Sequence, residues 1–154
     1  MLHIVLVEPQ IPQNTGNIGR LCVATNSILH LIKPLGFSTN QKELKRAGLD
    51  YWQNLKVYEW ENLDSFWESY PPNNAHFFFS TKARELHYEA QFQKECFLYF
   101  GREDKGLDSQ ILARFENQIY KLPMSALARS INLATCVGAV TYEALRQNGI
   151  YKEF

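Results

Sequence analysis

The sequence lacks the features that mark charged, membrane-bound and secreted proteins. Sixteen basic residues balance sixteen acidic ones, so any binding to nucleic acid must come from local patches rather than from net charge. No apolar run reaches the roughly 20 residues that span a bilayer. The N-terminus, Met1 to Ile4, enters a strand pattern directly and has no basic signal-peptide region. We therefore expect a cytoplasmic protein that makes no membrane contact.

Several common site motifs are also missing. Cys22, Cys96 and Cys136 are odd in number and have no CxxC spacing, which indicates reduced packing thiols rather than disulfides or a zinc site. There is no GxxxxGK[ST] loop and no GxGxxG after the first strand, which argues against P-loop NTP hydrolysis and an ordinary dinucleotide site. Without HExxH or a Cys/His cluster we expect no metal. The four histidines lie in or beside predicted strands and a loop, and we interpret them as structural.

Apolar segments and helical patterns alternate along the chain. Residues 2–7 are nearly all apolar and branched, which is typical of a strand buried on both faces of a parallel sheet. Further strands are predicted at residues 30–32, 56–58, 76–80, 97–100 and 119–122. Helices are predicted after Asn14 or Thr15 as the cap, over 41–48 and 63–70, and from Ser109 to about Phe115. This order predicts an α/β fold, one domain of 154 residues with a mainly parallel sheet and helices on both faces.

The last predicted helix runs to about Arg146 and has two distinct faces. Ser130 or Asn132 is expected to cap its start, and Gly149 to end it. One face is an ordinary core stripe: Leu133, Val137, Val140, Ala144 and Leu145. The other carries small uncharged residues and Tyr142, whereas a solvated face should carry more charge. The helix is therefore predicted to pack on two sides, either against a second subunit or centrally in one domain.

Three polar loops follow predicted strands. They cover residues 14–20, 101–106 and 124–132, and each mixes glycine or small residues with Arg, Asn, Glu or Ser. Gly101 and Gly106 permit close backbone approach or a positive φ. Because ligands gather at the carboxyl ends of parallel strands, the three loops together predict one pocket.

At these loops the chain resembles the SPOUT superfamily of RNA methyltransferases. More closely, it is similar to the small bacterial tRNA (cytidine/uridine-34) ribose 2′-O-methyltransferases. The matching runs are LVEPQIPQNTGNIGRLC (6–22), IKPLGFS (32–38), KRAGLDYW (45–52), LYFGREDKGL (98–107) and IYKLPMSALARSINLATCVGAVTYEALRQ (119–147). NTGNIGR together with ARSINLA is specific to the ribose-methylating branch, and the resemblance spans nearly the whole chain.

The resemblance implies an activity and an architecture that patterns alone do not give. The expected reaction transfers a methyl group from S-adenosylmethionine to the ribose 2′-hydroxyl of the wobble nucleotide, cytidine or modified uridine 34, in the anticodon stem-loop of tRNA. The expected fold carries a C-terminal trefoil knot, although chains are normally unknotted. A homodimer through the first and last helices is also expected. Two alternatives stay open: a ribosomal-RNA ribose 2′-O-methyltransferase, and a non-catalytic knotted dimer that binds RNA or cofactor.

The resemblance also assigns residues to roles. The implied cofactor-binding residues are Phe79, Ser80, Thr81, Gly101, Glu103, Leu122, Met124, Ser130, Asn132 and Ala134. The candidate RNA-binding residues are Arg20, Lys42, Lys45, Arg46, Lys82, Arg84, Arg102, Lys105 and Arg129. The candidate catalytic residues are Arg20, Tyr142 and Asn14.

The three catalytic candidates carry different expectations. A guanidinium is effectively always protonated, so Arg20 is expected to hold phosphate and stabilise the developing alkoxide rather than act as a base. Tyr142 contacts either the substrate nucleotide or the partner subunit, or is simply a packed interface tyrosine. Asn14 either caps a helix or orients ribose or Arg20. Asp104, Leu127 and Ala128 depart from the residues common in the family at these positions.

Overall fold

The computed structural model describes residues 1–40, 42 and 50–149. Seven strands form one sheet in the order β3-β2-β1-β6-β4-β7-β5, with every neighbouring pair parallel. The strands are β1 (Leu2–Val7), β2 (Ile28–Ile32), β3 (Val57–Trp60), β4 (His76–Phe79), β5 (Glu85–Leu86), β6 (Cys96–Phe100) and β7 (Ile119–Lys121). The prediction of a parallel α/β sheet is confirmed.

Within the described ranges there are four α-helices and three short 3-10 helices, and all but the last α-helix lie between strands. The α-helices are α1 (Pro12–Ala24), α2 (Leu63–Ser69), α3 (Ser109–Arg114) and α4 (Leu133–Asn148). The 3-10 helices are Asp50–Asn54, His87–Glu89 and Glu116–Gln118. No helix in the described ranges is long and apolar enough to cross a membrane.

Both faces of the sheet are covered, as predicted. Within β1, Leu2, Ile4 and Leu6 face one core, and Val5 and Val7 face the other. The first core is closed by α1 and α4, and the second by α2, α3 and the aromatic rings around them. All six β1 residues are buried, which explains why this strand is an apolar run rather than an alternating one.

The ends of α4 agree with prediction, because the residues that fix them are local. The Asn132 side chain accepts a hydrogen bond from the Thr135 amide at 3.2 Å and so caps the helix start. Gly149 follows the last turn with φ of 67°, the left-handed conformation that glycine adopts without strain. The predicted core stripe is buried except for Leu133, which is half-buried.

Two other helix starts were predicted wrongly. Helix α1 begins at Pro12, with Ile11 as a cap that offers no side-chain oxygen, so neither Asn14 nor Thr15 caps it. Helix α3 is capped by Asp108, whose carboxylate accepts from the Gln110 amide at 2.8 Å, and not by Ser109. The helix predicted over 41–48 lies outside the described residues, apart from Lys42, which is exposed and helical.

Candidate active site

A cleft of about 460 Å³ opens at the carboxyl ends of the central strands. Four chain segments line it: residues 11 and 14 after β1, 80–82 after β4, 101–107 after β6, and the segment 121–133 after β7. Within this last segment, residues 123 and 125–128 do not line the cleft. Each of the three segments that the sequence pattern singled out therefore contributes to one cleft, and a fourth segment joins them. The prediction of a loop over residues 14–20 is wrong, because these residues lie in α1, and of them only Asn14 lines the cleft. Strand order explains this, since β1, β6, β4 and β7 are consecutive neighbours in the sheet.

The loop after β6 folds back on itself in a tight turn. The Gly106 amide donates to the Arg102 carbonyl at 2.8 Å, and Gly106 has φ of 70°. A Cβ placed on Gly101 would lie 2.1 Å from the Gly106 carbonyl carbon. Only glycine fits at Gly101, as the pattern predicted, and the turn presents Glu103 to the neighbouring loop.

Three polar side chains tie the loops together. The Glu103 carboxylate accepts the amides of Gln10 at 2.8 Å and Ile11 at 3.0 Å, and lies 3.4 Å from the Asn14 amide nitrogen. The Asn14 carbonyl oxygen accepts from the Asn132 side-chain amide at 3.0 Å. We call Glu103, Asn14 and Asn132 the loop-linking network. It links the segments after β1, β6 and β7 to one another.

Positive side chains surround the mouth of the cleft. Arg102 makes a two-pronged contact with Asp104, its Nε and Nη2 lying 3.0 Å from the two carboxylate oxygens. The guanidinium lowers the pKa of Asp104, so this carboxylate stays charged. Lys82, Lys105 and Arg129 also line the cleft, and all three are exposed. The entrance is therefore suited to a polyanion, with Arg102 committed to an internal partner.

Nine of the ten residues implied for cofactor binding line this cleft; the exception is Ala134, which packs partly buried against the core behind it. Of the basic candidates, Lys82, Arg102, Lys105 and Arg129 line it. Arg84 and Lys42 are exposed elsewhere. Lys45 and Arg46 lie outside the described residues.

The three catalytic candidates are not brought together within one chain. Asn14 lies in the cleft. Arg20 belongs to the segment 14–20 that was predicted to contribute to the pocket, but it lies past the middle of α1 and does not line the cleft. Tyr142 is 58 % exposed on the outer side of α4.

Several contributors to the site were missed. The backbone amides of Gln10 and Ile11 carry no side-chain signal, and their partner lies more than 90 residues away in sequence. Cys136 and Lys121 also line the cleft; both fall in the run 119–147 that resembles the family, but neither was assigned a role. Tyr51 lies beside Arg20; it falls in a run that resembles the family, but nothing in the run shows which residue it contacts.

The fold and the site together define a class of protein. A parallel sheet with helices on both faces, and with a cleft at the strand ends, is typical of the α/β proteins that bind a small ligand there. The sequence profile of the SpoU rRNA methylase family matches residues 1–142. The chain belongs to that family, and the resemblance noted in the sequence is confirmed.

Individual relatives cover almost the whole chain. A protein of Aeromonas hydrophila named tRNA (cytidine(34)-2′-O)-methyltransferase is 45% identical over 151 residues, covering 97% of this chain and 96% of the relative. A protein whose structure was solved in a study of 2-OH methylation of C/U34 on tRNA has a TM-score of 0.90 and 44% identity, covering 97% of each chain. An AdoMet-bound rRNA methyltransferase of Sinorhizobium meliloti shares the fold at a TM-score of 0.81 and 21% identity, covering 94% of this chain and 56% of its own.

Proposed function

We propose that this chain is a methyltransferase that uses S-adenosylmethionine to methylate the ribose 2′-hydroxyl of nucleotide 34, cytidine or modified uridine, in tRNA. The observation that carries the proposal is the cleft itself. Nine of the ten residues that the resemblance assigns to the cofactor line it, and the loop-linking network holds its loops together. The relatives that support the wobble position as the target match this chain from end to end.

The cleft suits a nucleoside cofactor in size and lining. Its volume of about 460 Å³ falls within the range of small-molecule sites. Phe79, Leu122 and Met124 offer apolar surface for a base, while Thr81 and Ser130 offer hydroxyls for ribose and amino-acid groups. S-adenosylmethionine, when bound, supplies a methyl carbon activated by a positively charged sulfur. The Glu103 carboxylate is already bonded to the Gln10 and Ile11 amides, so this residue would support the cofactor by holding the loops of the cleft in place.

The chain acts as a homodimer through α1 and α4, in one domain of the whole chain. Ile11 is 42 % exposed just before α1, and Tyr142 is 58 % exposed on α4, so each of these two neighbouring elements offers a large hydrophobic side chain to a partner. Ala139 lies exposed on α4 and would allow another helix to approach closely. Arg20, outside its own cleft, then serves the cleft of the second subunit. There it holds the substrate phosphate and stabilises the alkoxide that develops on the 2′-oxygen.

The loop after β7 forms the C-terminal trefoil knot. From β7 the chain runs along the cleft, beside the turn after β6, before α4 packs on α1. The last turn of α4 is held by the segment that precedes β6: the Gln147 side chain accepts from the Phe92 amide at 2.9 Å and donates to the Ala90 carbonyl at 3.0 Å. These contacts support a C-terminal segment that passes through the loops rather than lying outside them.

The wobble region of tRNA reaches the cleft along its basic rim. Lys82, Lys105 and Arg129 contact the phosphates on either side of nucleotide 34, and their exposure leaves them free to follow the backbone. Because the chain is neutral overall, binding depends on this local patch and should weaken steeply with salt.

The decisive experiment measures methyl transfer from labelled S-adenosylmethionine into total tRNA from a strain lacking this gene, with nuclease mapping of the product. Label in a 2′-O-methyl nucleotide at position 34 is the expected result. Label in ribosomal RNA but not in tRNA would keep the chemistry and overturn the substrate. Cofactor binding by calorimetry without label in either RNA would overturn the reaction.

A further inference from the structure

Tyr51 lies against the arginine that the proposed reaction needs. Its ring centroid is 5.8 Å from the guanidinium carbon of Arg20, within the range of a cation–π contact. No hydrogen bond or ion pair holds that guanidinium within the described part of the chain. Arg20 is exposed, so without a neighbour its long side chain would sample many rotamers.

The segment that carries Tyr51 is itself held on α1. The Tyr51 hydroxyl donates to the Gly16 carbonyl, one helical turn before Arg20. Leu55, at the end of the segment, is buried in the core shared by α1 and α4. A tyrosine fixed through its hydroxyl and through its neighbours presents its ring at a defined place.

Gly19 allows this close approach. A Cβ placed on Gly19 would lie 3.1 Å from Leu55 Cδ2 and 3.3 Å from the Trp52 ring. The absence of a side chain at this position lets the 3-10 helix Asp50–Asn54 lie directly on α1, beside Arg20. The hydroxyl bond to Gly16 and the packing of Trp52 and Leu55 against Gly19 therefore place the Tyr51 ring beside the guanidinium without involving Arg20 itself.

We propose that Tyr51 is a positioning residue for Arg20: its ring keeps the guanidinium extended from α1 in the orientation used for the substrate phosphate and alkoxide. This rests on the proposed function, because it assigns a role at the same site. The contact leaves every N–H of the guanidinium free for the substrate, whereas a carboxylate partner would occupy them and cancel the charge. Burial raises the pKa of the Tyr51 phenol, which therefore stays neutral beside the cation.

The test compares Tyr51→Leu with Tyr51→Phe in the full-length protein. Tyr51→Leu removes the ring and should lower kcat about fivefold, with the Kd for S-adenosylmethionine unchanged. Tyr51→Phe keeps the ring and should restore most of the rate, although it loses the bond to Gly16. Tyr58→Leu is the matched control, since Tyr58 is 51 % exposed on the edge strand β3 and should leave kcat unchanged.

A double-mutant cycle separates positioning from simple support of the fold. In an Arg20→Ala background, Tyr51→Leu should lower the residual rate no further, since no guanidinium remains to be held. An equal loss in both backgrounds, or a Tyr51→Phe rate as low as that of Tyr51→Leu, would overturn the proposal. If Arg20→Ala itself keeps the wild-type rate, the role of Arg20 in the proposed function is wrong. If Arg20→Ala lowers the rate but the Tyr51 variants do not, only the role of Tyr51 is wrong.

Discussion

At the scale of single residues, Asn132 has two separable jobs. Its side-chain oxygen caps α4 through the Thr135 amide, and its nitrogen donates to Asn14. Asn132→Asp keeps an oxygen for the cap but loses the donor. Turning the Asn14 amide round would restore that bond only by placing the Asn14 oxygen against the Glu103 carboxylate, which lies 3.4 Å from the nitrogen now. One of the two contacts is therefore lost in either orientation.

We predict that Asn132→Asp leaves the thermal midpoint near that of the wild type and weakens S-adenosylmethionine binding. Asn132→Ala should weaken S-adenosylmethionine binding and should also lower the free energy of unfolding by about 1 kcal/mol, because the helix cap is lost. Thermal unfolding and calorimetric titration of the cofactor measure the two effects separately. Asn62 is the matched control, because it caps α2 through the Ser65 amide at 2.8 Å. Asn62→Ala should cost similar stability with normal cofactor binding; a wild-type affinity in Asn132→Asp would refute the role of the amide link.

At the scale of elements, the sequence predicts a helix or strand where the residues that fix it are close to it in the chain. Strands β1, β4 and β6 are contiguous apolar runs, so their existence was predictable. The end of α4 is fixed by Gly149 alone. The start of α1 was missed because the nearby amides of Gln10 and Ile11 are satisfied by Glu103, which comes from another strand end. Pro12 at the first helical position is the one local signal for this start, whereas the bonds from Glu103 leave no mark in the sequence around it.

The candidate site divides in the same way. Three of the four segments that line the cleft were found from their composition, and nine of the ten cofactor-binding residues implied by the resemblance line it. The contact between Tyr51 and Arg20 depends on how a 3-10 helix packs on α1, and the bond between Asn14 and Asn132 depends on sheet order. Neither arrangement follows from periodicity, so the sequence alone predicted the contents of the site but not its connections.

Buried histidines form a layer on the sheet face beneath α2, and their hydrogen bonds and burial keep the imidazole rings uncharged. Trp60 donates to His30 Nδ1 at 3.1 Å, which leaves the His30 proton on Nε2, 2.9 Å from His3 Nδ1. His76 Nδ1 lies 2.7 Å from the Tyr99 hydroxyl. Burial lowers the pKa of His30 to about 3 and that of His76 to about 4. These placements agree with a structural role for the histidines.

This layer predicts loss of stability in mild acid. In the unfolded chain each histidine takes up a proton near pH 6.5, while the folded state holds His30 and His76 neutral far below that pH. Their contribution is therefore complete above pH 6.5 and falls as the pH drops towards 4. Between pH 7.5 and 5.5 the free energy of unfolding should fall by about 1.4 kcal/mol for each of the two groups, measured by urea titration. His76→Phe, which keeps a ring and cannot titrate, should remove about half of this change; an unaltered pH dependence in that variant would show that other groups cause it.

At the scale of the whole molecule, the distribution of the catalytic candidates is the main constraint. Asn14 and the cofactor candidates share one cleft, while Arg20 lies on α1 outside it and Tyr142 lies exposed on α4. Within one protomer Arg20 therefore lies away from the cleft, which is lined by other basic residues, Lys82, Lys105 and Arg129. In the proposed dimer, contact through α1 and α4 would bring the Arg20 side chain of one protomer towards the cleft of the other.

Mixed dimers test this directly. Arg20→Ala removes the cation, and Ser130→Trp fills the cleft from an exposed loop position without touching the core. Each homodimer should keep only a small residual rate. If each site combines Arg20 of one subunit with the cleft of the other, a heterodimer of the two variants contains one intact site and one doubly defective site. Purified through two different affinity tags, it should recover about half of the wild-type rate, since one of its two sites is intact. If Arg20 serves its own cleft, both sites of the heterodimer are defective, and a rate no higher than that of the parent variants would refute the shared site.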